Sequence, residues 1–270
     1  MSEICERCAH EPEKRVLVRS RSDSAVASPC PACTEHCPIC RGQRFVERTD
    51  ERGYDFLIPC SCKAQFDRID RFNGAGIPAR YAHCTLAAYE AKGGNQRAVH
   101  RTVDKHLAGF HPGVPGLLLA GPVGTGKTHL LVAALRHITL ESGIRARFIE
   151  FTHLLSDIKE GFNTGKSEAE ILGPLSQIPV LGIDELGKGL ATEWQLSVLD
   201  ELISRRYNLG LTTYFTTNLN VTDTEPSPEN QPVTARSGDL RRALERITLV
   251  DRVGERIFSR LHEMCRFVVL

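Results

Sequence analysis

From Gly116 onward, short apolar runs alternate with segments in which apolar residues recur at helical spacing. Leu117–Ala120 is an uninterrupted apolar run between two glycines, the pattern of a strand buried on both faces. Gly121–Thr125 predicts a turn, and Lys127–Glu141 predicts a helix that stops by Gly143. Further strands are predicted at Arg147–Phe151, Val180–Ile183, Thr212–Thr217 and Cys265–Leu270, with helices at Leu154–Phe162, Trp194–Tyr207 and Gly254–His262. Strands too apolar to present a wet face, separated by helices, predict an α/β fold whose parallel sheet lies between helices.

Ahead of this region the pattern weakens. Cys62–Phe72 (CKAQFDRIDRF) has helical spacing, and Asn73–Pro78 (NGAGIP) breaks it. Arg19–Pro29, with its Ser, Arg and Asp content, predicts a loop. The chain therefore divides into a small module, residues 1–72, and a larger domain, residues 73–270. Within the larger domain, Asp223–Arg242 is rich in Pro, Ser and Thr and predicts an inserted loop.

Composition narrows the function. With 41% hydrophobic and 25% charged residues, the 270-residue chain can bury a real core. Its 34 Lys and Arg balance 33 Asp and Glu, so any contact with nucleic acid has to be local. No apolar run reaches the roughly 20 residues that a bilayer requires. The charged Met1–Arg19 stretch lacks a signal core, so a cytoplasmic protein without membrane contact is expected. Of 10 cysteines, eight crowd into residues 5–62 as close pairs, which in a reducing compartment points to metal thiolates.

Gly121–Thr128 reads GPVGTGKT, a full match to G-x-x-x-x-G-K-[ST] between a predicted strand and a predicted helix. Glycines there let backbone N–H groups close around phosphate oxygens, and the helix start adds its positive dipole end. Gly121, Pro122, Val123, Gly124, Thr125, Gly126, Lys127 and Thr128, with His129 following, are the candidates for binding ATP. Lys127 would reach the β and γ phosphates, and the Thr128 hydroxyl would ligate Mg2+. Val180–Glu185 (VLGIDE) supplies the acidic partner: Asp184 for the Mg2+ shell and Glu185 to polarise the attacking water. Asn218 ends the strand Thr212–Thr217, where a polar side chain can read the γ phosphate or position water. In GERIFSRL, Arg256 and Arg260 stand four apart, on one face of a helix.

Together GPVGTGKT, the Leu154–Phe162 helix, VLGIDELG, TTNL and GERIFSRL resemble the ATPase domain of the DnaC/IstB group of AAA+ proteins over roughly residues 74–270. That group comprises helicase loaders and the ATPase partners of some transposases. The resemblance implies a P-loop AAA+ ATPase without a C-terminal helical lid. Asn218 would be its sensor 1, and Arg260 or Arg256 an arginine finger acting across the subunits of an ATP-dependent homo-oligomer. IPARYAHCTL (Ile77–Leu86) resembles the segment before the P-loop in these proteins, where it would line the adenine pocket. The implied partners are a replicative DNA helicase and single-stranded DNA, or a transposase in the alternative.

Cys37-Pro-Ile-Cys40 and Cys60-Ser-Cys62 supply four thiolates, and CPICRGQRF resembles a zinc knuckle. Cys5, Cys8, Cys30 and Cys33 offer a second Zn2+ site. Interleaved sets such as Cys5, Cys8, Cys37 and Cys40 are equally allowed, and His10 or His36 could replace a ligand. Some loaders carry a similar Cys-rich N-terminal segment, which in this group would contact the helicase or single-stranded DNA. Arg41, Arg44 and Phe45 are candidates there for phosphate and stacking contacts.

Overall fold

Side chains of a strand alternate between faces, so an apolar run between two helical layers must feed two cores. Leu117 and Leu119 do point into one cluster, and Leu118 and Ala120 into another. They belong to β5 (Gly116–Ala120) in a computed structural model that describes residues 16–31, 37, 39–189, 192–221 and 247–270. The other strands of its five-stranded sheet are β6 (Ala146–Glu150), β7 (Val180–Asp184), β8 (Thr212–Thr217) and β9 (Cys265–Val269). Their order is β6-β7-β8-β5-β9, and every neighbouring pair is parallel. Gly116 opens β5 because a Cβ there would sit 1.8 Å from the Thr213 carbonyl oxygen.

Helices cover both faces. On one lie α1 (Lys63–Gly74), α2 (Gly94–Ala108) and α3 (Lys127–Leu140). On the other lie α4 (Phe151–Asn163), α5 (Glu168–Gln177), α6 (Glu193–Asn208), α7 (Leu249–Val253) and α8 (Glu255–Met264). The chain from β5 crosses to the far edge at β6, so strand order reverses beside β5. That reversal opens a crevice at the carboxyl ends of the strands, where α/β sheets bind ligands. Among the described residues no helix is long and apolar enough to cross a membrane.

Two sequence expectations need correction. Arg19–Pro29 is not a loop: β1 (Val16–Arg21) and β2 (Ser24–Pro29) form an antiparallel hairpin. Small residues conceal the alternation, because Ala25 and Ala27 are the buried positions. Asn73 fixes the strand to the end of α1, accepting from the Ala27 N–H at 2.7 Å and donating to its carbonyl at 3.1 Å. Phe151, placed in the second strand, instead starts α4.

The sequence also hid a second hairpin, β3 (Phe45–Thr49) with β4 (Asp55–Pro59), and the helices α2 and α5. Val16, Ala25, Ala27, Ile69 and Phe72 share their cluster with Leu131 and Leu135 of α3. The β1–β2 hairpin and α1, which precede residue 73, thus pack in the same core as α3. The Asp223–Arg242 segment lies outside the described residues.

Candidate functional site

The chain leaves β5 through Gly121, Gly124 and Gly126, all at positive φ, and enters α3 at Lys127. Gly126 must be glycine on a second count, since a Cβ would come within 2.5 Å of the Tyr89 ring. No side chain caps the first turn of α3, so its N–H groups are available to an anion. Lys127 is buried beneath the loop, and its ammonium donates to the carbonyls of Gly121 at 2.8 Å and Pro122 at 2.7 Å. Burial holds its pKa below the ordinary lysine value, against the pull of Asp184 and Glu185. A phosphate oxygen offers this ammonium a stronger acceptor than two carbonyls do.

Thr128, the next residue, donates to both carboxylate oxygens of Asp184, at 3.0 and 3.2 Å. Asp184 ends β7 and is 3% exposed. From the adjacent strand β8, the Thr216 hydroxyl donates to Asp184 at 2.5 Å and accepts the Glu185 N–H at 3.0 Å. One hydroxyl thereby sets both acidic residues. Glu185 has φ of 58°, a left-handed conformation that costs a non-glycine residue about 1–2 kcal/mol. The Thr216 hydroxyl, accepting its N–H, holds it there. The hydroxyl and carboxylate oxygens gathered at Thr128 and Asp184 are the hard donors that Mg2+ takes.

Burial pushes the Asp184 carboxyl above its usual range, and the hydrogen bonds from Thr216 and Thr128 oppose that shift without cancelling it. Since the folded pKa is the higher one, charge on Asp184 destabilises the nucleotide-free fold above that pKa, and the penalty fades as pH falls through it. Asp184→Asn is therefore expected to raise the nucleotide-free melting temperature by a few degrees at pH 7, the gain shrinking in acid. A variant that melts at or below wild type at pH 7 would show that this charge carries no such penalty.

Tyr89 donates to the Thr125 carbonyl at 2.8 Å, and the His129 Nε2–H donates to the Thr85 carbonyl at 2.7 Å. The segment preceding α2 is thus tied to the phosphate loop from both sides. Asn218 is exposed just beyond β8. Arg260 on α8 bonds Asp200 and Ser204 of α6 and is 20% exposed; Arg256, one turn earlier, is 73% exposed. Sequence reasoning missed Thr216 and Tyr89. A threonine inside TTYFTT passes for an ordinary strand residue, and Tyr89 stands far from the motif it contacts.

The four thiols of Cys37, Cys40, Cys60 and Cys62 lie within 4.8 Å of one another. After Cys40 the chain reverses through Arg41, Gly42 and Arg44, all at positive φ, and the β3–β4 hairpin returns it to Cys60. Sγ–Sγ separations of 3.6 Å (Cys37–Cys60) and 3.4 Å (Cys40–Cys62) approach the roughly 3.8 Å edge of a tetrahedral zinc tetrathiolate. The site fits Zn2+, whose chemistry here would be structural. Arg44 pairs with Asp70 and covers the Phe66 ring, so it fastens this hairpin to α1. Cys30 is buried apart from the four, whereas Cys5, Cys8, Cys33, His10 and His36 lie outside the described residues.

Comparison with known proteins bears on the whole arrangement. The profile of a family described as IstB-like ATP binding protein matches residues 80–227. The replicative helicase loader DnaC of Escherichia coli (strain K12) is 26% identical over 151 residues, which is 56% of this chain and 61% of that protein. The match thus spans about three fifths of the relative's length. A crystal structure of the DnaC helicase loader superposes with a TM-score of 0.56 at 30% identity, covering 71% of this chain and 98% of that one. The replication initiator DnaA bound to AMPPCP and single-stranded DNA shares the fold at a TM-score of 0.52 and 18% identity, over 70% of this chain and 50% of its own.

Proposed function

The chain belongs to the IstB-like ATP binding protein family, and from that premise we propose that it is an ATP-hydrolysing helicase loader. The observation that carries the reading is the convergence of Lys127, Thr128, Asp184 and Glu185 at the carboxyl ends of β5 and β7, with Thr216 fixing both acids. The loop from Gly121 to Gly126 wraps the phosphates, and Lys127 neutralises charge on the β and γ groups. Thr128 and Asp184 would hold Mg2+, which when bound would add to the charge neutralisation. Glu185 orients a water and accepts its proton as the water oxygen bonds to the γ phosphorus and the ADP oxygen leaves. Tyr89 and His129 shape the nucleotide side of the segment before α2, and Asn218 faces the γ phosphate.

In this reading residues 1–72 form a zinc module around Cys37, Cys40, Cys60 and Cys62 that docks on the replicative helicase. Residues 73–270 form the ATPase that oligomerises and contacts single-stranded DNA. Identity of 30% across nearly the whole of a solved helicase loader supports it. The alternative, a transposition ATPase, draws on the family description alone.

Capture from host extract separates them. Purified protein is expected to retain the replicative helicase in ATP and release it in ADP, and the Cys37→Ser/Cys40→Ser variant is expected to capture none. Retention of a transposase with no helicase would move the protein to the second class and leave the nucleotide site as described.

A further inference from the structure

A second group of soft donors lies outside the cysteine centre. His83, Cys84 and His129 each present a ligand atom within 4.8 Å of the others. His83 and Cys84 sit between the short helical turn Ala79–Tyr81 and α2, whereas His129 is in the first turn of α3, directly after Thr128. The proximity is created by folding, since 44 positions separate Thr85 from the His129 ring that hydrogen-bonds it.

The state of His129 suits a ligand. Its Nε2 donates to the Thr85 carbonyl, which can only accept, so in the neutral ring the proton resides there and Nδ1 keeps its lone pair. Metal-bound histidines characteristically donate their other ring N–H to a carbonyl in this way, which fixes tautomer and ring orientation. Cys84 is buried, and its sulfur lies 3.9 Å from the His83 Nε2. Donors around a tetrahedral zinc stand roughly 3.5 Å apart. Exposed His83 can close the remaining gap by turning its side chain, without moving the backbone.

We propose that His83, Cys84 and His129 form a binding site for a borderline-soft divalent cation of the Zn2+ class. Two imidazoles and one thiolate suit that class over Mg2+ or Ca2+, which take oxygen donors. Three protein ligands leave a fourth position for water. Bound there, the ion cross-links the segment before α2 to the first turn of α3, beside the loop that Tyr89 also touches. The assignment does not depend on what the neighbouring P-loop does.

Metal stoichiometry tests it on the full chain without nucleotide. Wild type, His83→Ala, Cys84→Ser and Cys37→Ser/Cys40→Ser proteins are dialysed against the same buffered free Zn2+, and bound zinc is counted per chain. Both His83→Ala and Cys84→Ser are expected to hold one equivalent fewer than wild type, and Cys37→Ser/Cys40→Ser to retain the equivalent that they lose. Cobalt substitution should show one thiolate-to-metal charge-transfer contribution missing from each of the first two. Since exposed His83 can be truncated without disturbing the core, that variant decides the matter even if Cys84→Ser folds poorly. Equal zinc content in wild type and His83→Ala would overturn the proposal.

Discussion

Glu185→Gln is expected to bind ATP with wild-type affinity and to lose about 10²–10⁴-fold in steady-state hydrolysis. Glutamine preserves the size of the side chain and the backbone N–H bond to Thr216, so the left-handed residue and the neighbouring Asp184 stay in place. What disappears is the ability to take a proton from water. Binding persists because Lys127, which meets the phosphates in the proposed site, and Thr128, which would hold Mg2+, are untouched. The ion pair with Lys188 also goes, but it is exposed on the lysine side and contributes little. A measured turnover equal to wild type would remove Glu185 from the role of base, and a loss of ATP binding would mean that it supports the loop instead.

The largest effect expected at a distance from the loop comes from α8. Arg256 stands 73% exposed with its guanidinium 3.7 Å from Asp200, whereas Arg260 is 20% exposed, at 2.6 Å from Asp200 and against the Tyr207 ring. In the proposed assembly an arginine acting on a neighbour's γ phosphate must extend beyond its own subunit, and of the two Arg256 is the more exposed and the more loosely held by Asp200. Arg256→Ala should lower hydrolysis by the assembled protein about 10³–10⁵-fold while dilute subunits bind nucleotide as before. Arg260→Ala should instead loosen α8 from α6 and lower the melting temperature, at a cost of about 1 kcal/mol for the lost bond to Asp200, which keeps Ser204 and the more distant Arg256. The reverse outcome, a catalytic loss at Arg260 and none at Arg256, would return the finger to Arg260.

Much of the core was legible because its strands are apolar on both faces, and the eye needs only a run such as LLLA or VLGID to find them. The phosphate loop was legible because its glycines and lysine are local in sequence. What escaped was whatever depends on small or distant residues. The β1–β2 hairpin buries alanines, too weakly apolar to mark an alternation. Thr216 carries its role through a hydroxyl that a strand tolerates anywhere, and only the β7–β8 pairing brings it to Asp184. The gathering of Cys37 and Cys40 with Cys60 and Cys62 was one option among several from spacing alone. The β3–β4 hairpin, itself unforeseen, brings those pairs together.

The place of β5 in the sheet bears on how the protein is made. It is hydrogen-bonded to β8 on one side and to β9 on the other, with Gly116 opposite Cys265 and Ala120 opposite Val269. The Leu270 N–H donates to the Ala120 carbonyl, and the next residue, Gly121, packs against the Leu270 backbone. A ribosome delivers the phosphate loop long before it delivers residues 265–270, so the backbone N–H and C=O groups on the β9 side of the loop's supporting strand wait unpaired. Contacts this remote in sequence form late, because their loop-closure entropy must be met first. The nascent chain is thus exposed to aggregation or chaperone capture during that interval. A nucleotide that binds the folded sheet and not the unfolded chain then draws the equilibrium toward the native state.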